Sequence, residues 1–325
     1  MEKTNKIDLK DKKILYELDK DARQSYSKIG KKVGLSKNSV SYRIDNLIKE
    51  GVIKQFRTVI NSGKLGYFSF RLYLNLSNIT LQKEQEIIDF LGKKEIVTWL
   101  ASMDGKYNLG ALILTKDINE MHELWNELLK KYINYIKERL VVMVINSTYF
   151  SRAYLIESSK NEYEMTTITP IDNMKLDKKD IEIINNLTGN ARMPIVELSA
   201  KLKITPKTAI SRIKELEKNK IISLYRITID KDKIGYKKFR IGFILSKITE
   251  DKLKDFNSYI RYHPNIIYRE EVLGGDDCEI ELEVENISHL RKIIEEMRNK
   301  FGDMIQDYRI YHIYQEHKKA GFRFA

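Results

Sequence analysis

The stretch "YFSFRLYLNLS" alternates without a break. Phe68, Phe70, Leu72, Leu74 and Leu76 fall on one face and Ser69, Arg71, Tyr73 and Asn75 on the other, the period of a strand with one covered face. Upstream the period lengthens: Ile14, Leu15 and Leu18 mark one helix, Ile29 and Val33 a second, and, after a turn around Gly34, Val40, Ile44, Leu47 and Ile48 share one side of a third, from about Ser36 to Glu50. Three short helices with a tight turn before the last predict a helix-turn-helix. Downstream come a helix with Ile87, Ile88 and Leu91, a strand ending in "SMDGKYN", its hairpin partner "LGALIL", a helix with Met121, Leu124, Trp125 and Leu128, and the strand "RLVVMVI". The order strand, helix, strand, strand, helix, strand is the ferredoxin-like βαββαβ pattern.

The whole arrangement occurs twice. At a shift of 169, "GLSKNSVSYRIDNLIKEGVI" falls on "KITPKTAISRIKELEKNKII", and Asp8, Asp11, Ala22, Arg23, Arg43, Ile44, Leu47 and Ile53 fall on Asp177, Asp180, Ala191, Arg192, Arg212, Ile213, Leu216 and Ile222. "KLGY" at Lys64 falls on "KIGY" at Lys233, and the match continues with about one residue inserted near His263 and Pro264. So long a period denotes a duplicated multi-element unit rather than a solenoid repeat of roughly 20–50 residues. The expected α+β chain therefore has helix-turn-helix domains of winged type at 1–60 and 175–229, ferredoxin-like sandwich domains at 61–150 and 230–325, and a linker at 151–174. "STYFSRAYL", residues 147–155, runs into that linker and reads alternatively as an extension of the preceding strand.

Composition changes the picture in one respect. The 325 residues carry a formal charge of +12, and the surplus is local: residues 1–60 hold 15 Lys and Arg against 8 Asp and Glu, residues 175–229 hold 12 against 6, and the remainder 31 against 32. Both helix-turn-helix segments are basic, as an anionic partner requires. A hydrophobic fraction of 42% excludes a disordered, solvating chain. Cys278 is the only cysteine, so neither an intrachain disulfide nor a thiolate metal cluster is available. No apolar run suits a signal peptide or membrane helix, and a cytoplasmic protein is expected.

On the third helix the outward side displays Asn38, Tyr42, Asp45, Asn46 and Lys49, with Ser39 on the flank. In the second copy it displays Lys207, Ser211, Lys214 and Lys218, with Thr208 alongside. Asn pairs with adenine, Lys with guanine and Ser or Thr with either in the major groove, whose width admits a helix. Ser36 and Thr205 are suited to N-capping and Pro206 to the first helical position, so the backbone N–H groups of these first turns, beginning at Lys37 in the first copy and after Pro206 in the second, could meet a phosphate. Arg43 and Arg212, at the edge of the buried face, divide between a phosphate contact and a structural pairing with a first-helix carboxylate such as Asp11 or Asp180.

These residues resemble the Lrp/AsnC family of transcriptional regulators, whose pattern "LDxxDxxIL…DAR…vglS…vxxRixxLexxGvI" both copies follow. The resemblance implies double-stranded DNA as partner, sheet-to-sheet pairing of sandwich domains, further self-association and an amino-acid or other small effector. The effector site would lie near the turns at Asp104, Gly105, Tyr107 and Asn108 and at Gly274, Gly275, Asp276 and Asp277. The second copy departs from the pattern by having "EKNKII" where the first has "KEGVI", which predicts a different helix end.

An enzyme is the first rival. There is no Gly-rich phosphate loop or zinc spacing, and His122, His263, His289, His312 and His317 are scattered, so no catalytic residue, metal or cofactor is assigned. Siroheme decarboxylases, which share the family's fold and are expected to use His and Arg in the sandwich domain, supply the enzymatic alternative. A DNA-architectural protein of low sequence preference is the other rival. The preferred expectation is a regulator acting as a covalent pseudo-dimer.

Overall fold

The computed structural model describes residues 7–157, 164–168 (backbone course only), 174–318 and 322–324. In the first half, α1 (Leu9–Lys20), α2 (Tyr26–Val33) and α3 (Lys37–Lys49) lead into β1 (Ile53–Ile60). Then follow β2 (Phe68–Leu76), α4 (Leu81–Lys93), β3 (Val97–Asp104), β4 (Leu109–Thr115), α5 (Ile118–Tyr132), β5 (Ile136–Phe150) and a short β6 (Glu164–Ile168). The second half comprises α6 (Lys178–Gly189), α7 (Ile195–Leu202), α8 (Pro206–Lys218), β7 (Ile222–Ile229), β8 (Lys237–Leu245), α9 (Glu250–Tyr262), β9 (Ile266–Leu273), β10 (Cys278–Val284), α10 (Ile287–Phe301) and β11 (Ile305–Lys318). From α6 through β11 every helix and strand begins 169 residues after its counterpart, so the insertion expected near His263 and Pro264 is absent.

Local chemistry sets the helix ends. Asp8 caps α1 by accepting from the Asp11 N–H (2.8 Å) while Asp11 accepts from the Asp8 N–H (3.2 Å), and Asp177 and Asp180 repeat this capping box on α6. Gly34 turns the chain from α2 into α3 at φ +69°, and Lys203 takes the same left-handed place at φ +53°. The predicted difference at the end of the third helix does not occur. Gly51 (φ +69°) and Lys220 (φ +55°) both adopt the left-handed conformation after helices of 13 residues. A lysine there carries roughly 1 kcal/mol of strain that glycine avoids, and the surrounding repeat evidently tolerates it.

β1 and β7 pair with each other in an antiparallel ribbon that sets Arg57 opposite Arg226. The helices of both halves close over this ribbon in one apolar cluster, from Ile14, Leu18, Ile44 and Leu47 to Ile184, Leu187, Ile213 and Leu216. The remaining strands form two ferredoxin-like sheets, β5-β2-β4-β3 and β11-β8-β10-β9, whose edges join at β3–β11 and β5–β9. The eight strands thus make a closed ring. β5 and β11 are the corner strands: the first part of each stays in its own sheet and the last part crosses to the other.

This closure buries both faces of "YFSFRLYLNLS", where the alternation predicts only one covered face. Phe70, Leu72 and Leu74 pack under α4 and α5, whereas Arg71 and Tyr73 point into the ring. The expected linker is largely structural. Ser151 to Leu155 are buried and residues 164–168 pair with β5, so "STYFSRAYL" does extend the preceding strand as far as Phe150; residues 158–163 and 169–173 of that span lie outside the described residues. Among the described residues no helix is long and apolar enough to cross a membrane, and no cluster of side chains could hold a metal.

Candidate nucleic-acid interface

α3 and α8 bury Val40, Ile44 and Leu47, and Ala209, Ile213 and Leu216, against the first two helices of their units. The opposite faces are open. Ser36, Lys37, Asn38, Tyr42 and Lys49 are exposed, with Ser39 and Asn46 half-buried beside them; Thr205, Lys207, Ser211, Lys214 and Lys218 are exposed, with Thr208 half-buried. Tyr42 is a large ring left 68% exposed. The Ser36 hydroxyl accepts from the Ser39 N–H and the Thr205 hydroxyl from the Thr208 N–H, each at 3.1 Å.

Arg43 and Arg212 are held differently from the rest of the expected face. Arg43 Nη1 lies 2.8 Å from both Asp8 and Asp11, and Arg212 Nη1 lies 2.7 Å from both Asp177 and Asp180. The hydrogen bonds that Arg43 donates to Asp11 and Arg212 donates to Asp180 come first among the influences that raise these two guanidinium pKa values. Each arginine ties the third helix of its unit to the capping box of the first, which is the structural side of the division that the sequence leaves open.

Both units brace each other. Arg23 Nη1 donates to the Ala191 carbonyl at 2.5 Å and Arg192 Nη1 to the Ala22 carbonyl at 2.6 Å. Lys64, of "KLGY", donates to the Asn219 carbonyl at the end of α8 (2.8 Å), and Lys233, of "KIGY", donates to the Glu50 carbonyl at the end of α3. A cation at a helix C-terminus satisfies an orphan carbonyl and complements the helix dipole. Here the cation comes from the other half, so the placement of each third helix depends on both.

Behind the ribbon lies a cavity of about 220 Å³ between β1 and β7 on one side and the open end of the ring on the other. Basic side chains converge on it: Arg57 and Arg226 from the ribbon, Arg71, Lys238 and Arg240 from the ring, with Arg152 and Lys231 at its margin. Most are neutralised. Arg71 pairs with Glu270 (2.5 Å), Arg240 with Glu270 (2.7 Å), Glu279 (2.5 Å) and Glu281, and Lys238 with Glu281 (2.7 Å). Arg226 clasps Asp19 through Nε (3.0 Å) and Nη2 (2.6 Å), while Arg152 bridges Asp19 (2.5 Å) and Glu283 (2.8 Å). Burial alone would raise the pKa of Asp19, but Arg152 and Arg226 outweigh it and hold the carboxyl below its usual range. Arg57 differs: burial, and then the like charges of Arg226 and Arg152, lower its pKa.

The turns expected to hold an effector sit at the opposite end of the ring from this cavity. Asp104 reaches His312 (3.3 Å), and Gly105 packs where a Cβ would meet the Ile310 carbonyl at 2.6 Å. Tyr107 is buried against both Tyr73 and Tyr311, which also stack on each other, and Asn108 closes its turn on the backbone of Leu76. Gly274 and Gly275 take positive φ, Asp276 pairs with Arg309, and Asp277 accepts from the Leu245 N–H (2.7 Å). Burial pushes the Asp276 carboxyl up to about 6. These residues knit the strand ends together, and none lines the central cavity.

The fold and the two exposed helices define a winged helix-turn-helix protein. The winged helix-turn-helix DNA-binding family matches residues 7–54 and 176–223. HTH-type transcriptional regulator LrpC of Bacillus subtilis is 30% identical over 126 residues, 37% of this chain and 83% of that protein. LrpA of Pyrococcus horikoshii is 31% identical over 36% of this chain and 82% of its own, and regulatory protein AsnC of Haemophilus influenzae 28% over 36% and 78%. The chain belongs to the Lrp/AsnC family of transcriptional regulators, in tandemly duplicated form. Along its whole length the fold is similar to that of the siroheme decarboxylase NirDL, with a TM-score of 0.64, 15% identity, and coverage of 98% of this chain and 94% of that one.

Proposed function

We propose that this chain is a sequence-specific DNA-binding transcription regulator that acts as a covalent pseudo-dimer, α3 and α8 each reading one half-site in successive major grooves. One observation carries the reading: two exposed helix faces rich in small polar and basic residues stand on a scaffold whose halves brace each other. Ser36, Lys37, Asn38, Ser39, Tyr42, Asn46 and Lys49, with Thr205, Lys207, Thr208, Ser211, Lys214 and Lys218, are the proposed contacts. Arg43 and Arg212 position their helices. Covalent linkage makes the second contact intramolecular, so it benefits from effective concentration. Asn38, Tyr42 and Asn46 correspond to Lys207, Ser211 and Glu215, so the two half-sites are unlike. The sandwich halves serve as a platform for further association and for a small effector.

A footprint on the protein's own upstream region tests this. Protection of unlike half-sites about one helical turn apart is expected. Lys207→Ala should reduce the slope of log affinity against log salt by about 1, and Asn38→Ala should relax sequence preference with little change in that slope. An affinity for the upstream region equal to that for random DNA at matched salt would favour an architectural role, and a palindromic preferred site would defeat the unlike half-sites.

Full-length likeness to a siroheme decarboxylase, also solved with an iron-uroporphyrin III analogue, supports a second reading as a tetrapyrrole enzyme. That reading expects His and Arg together in the sandwich domain. None of His122, His263, His289, His312 and His317 lines the arginine-rich cavity, which favours the regulator. Tight binding of iron-uroporphyrin III, seen as a Soret shift, with no retention of DNA would reverse the choice.

A further inference from the structure

We propose that the central cavity is a binding site for a small organic monocarboxylate, held by Arg57 in the way that Arg226 holds Asp19. The argument is one of symmetry. Arg57 and Arg226 are equivalent at the shift of 169 and face each other in the ribbon. Arg226 is completed by a four-residue cluster with Asp19, Arg152 and Glu283. The residues at the matching positions are Thr188, Gly321 and Leu114, and of the four only the arginine has an equivalent. Thr188 and Leu114 line the cavity beside Arg57, and the Thr188 hydroxyl is turned back onto the Ile184 carbonyl at 2.7 Å.

Arg57 therefore sits in the same slot without its acid. Among the described residues no carboxylate pairs with it, and its buried Nε, the atom whose counterpart donates to Asp19, has no hydrogen-bond partner. A buried guanidinium without an anion is costly, and it faces the like charge of Arg226. None of the described residues supplies the missing group, and the mirror site specifies its chemistry: a carboxylate receiving Nε–H and Nη–H together. Lys231, at the margin and likewise without an ion pair among the described residues, adds positive charge. Trp99, Leu112, Leu114 and Tyr149 make the rest of this side apolar or aromatic, so the ligand carries a branched aliphatic or aromatic body. The volume of about 220 Å³ is several times the roughly 30 Å³ a water takes in the liquid.

A ligand here would touch the ribbon that joins α3 and α8, and so could favour one spacing of the helices. That consequence rests on the DNA-binding reading, whereas the site does not. The test is calorimetric titration of the full chain with benzoate, phenylacetate and 4-methyl-2-oxopentanoate, with sulfate and inorganic phosphate as controls. At least one carboxylate should bind saturably, and Arg57→Gln should weaken it roughly tenfold or more. Thr188→Asp, which rebuilds the mirror acid, should block binding while leaving the melting temperature equal or higher; it remains decisive even if the Arg57 variant fails to fold. No carboxylate binding up to about 10 mM, unchanged binding in both variants, or stronger binding of sulfate or phosphate would overturn the site. Carboxylate binding with unaltered DNA affinity would overturn only the effector role, and absence of DNA binding would defeat the regulator reading instead.

Discussion

Asp19 with Arg226, and Thr188 with Arg57, are the same place in the two halves, and they have become chemically unlike. The difference runs through the interior of the ring. Glu270, Glu279, Glu281 and Glu283 all come from the second half, where the first has Ala101, Gly110, Leu112 and Leu114. Arg71 and Arg240, which pair with Glu270, Glu279 and Glu281, are equivalent and present in both halves, whereas Arg152, the partner of Glu283, has Gly321 at its matching position. By contrast the capping boxes, Arg43 and Arg212, Arg23 and Arg192, and Lys64 and Lys233 make matching bonds in each half. Symmetry is retained where it aims the third helices and lost where the axis is enclosed. A homodimer could not make this division, because each substitution would appear on both sides of the axis.

Removing the acid from one side is the strongest way to probe the comparison. Asp19→Asn leaves Arg152 and Arg226 buried without their shared charge and should destabilise the protein by about 3–5 kcal/mol. Thr188→Ala should stay within about 1 kcal/mol. Urea unfolding measures both, and equal losses would mean that the two sites are not functionally distinct. Acid sensitivity should also be one-sided. Burial pushes the His263 imidazole down to about 4, whereas the equivalent Lys94 pairs with Glu127 at 2.6 Å near the surface. A histidine held neutral in the fold contributes stability that is fully present above its unfolded pKa, near 6.5, and is lost as pH falls toward 4. The loss should be about 1–3 kcal/mol, and His263→Gln should flatten that part of the stability profile. The smallest effect tests retained symmetry: Lys64→Met and Lys233→Met should each cost about 0.5–1.5 kcal/mol, with midpoints that agree. A large inequality would show that the two third helices are not braced alike.

Local order was legible in the chain where a period or a cap expresses it. The three-helix units, the βαββαβ order and the sharing of one strand face by Arg71 and Tyr73 follow from spacing, but the alternation reads that face as uncovered, and only closure of the ring buries it. Closure of the ring was not legible, since its seams join Asp104 to His312 and Met143 to Leu273, and no nearby residue announces such distant partners. Nor was the cavity. Arg57 within "KQFRTVI" looks like any solvent-facing strand residue, and only its pairing with Arg226 reveals an interior position. One signal was available: aligning the chain with itself sets Asp19 against Thr188 and Glu283 against Leu114 while both ribbon arginines persist. The turns at Gly105 and Gly274 drew attention by motif, but their side chains are spent on joining strands.

The ribbon between β1 and β7 also bears on synthesis. Ile53 must find Ile229, so a growing polypeptide carries β1 unmatched until almost all of the second helix-turn-helix has left the ribosome. Through the same interval the edges of β3 and β5 await β11 and β9. Pairings this distant in sequence form slowly and leave strand edges open to neighbouring nascent chains. Two chains emerging side by side could exchange their second halves, giving an interlocked dimer with every native pairing intact.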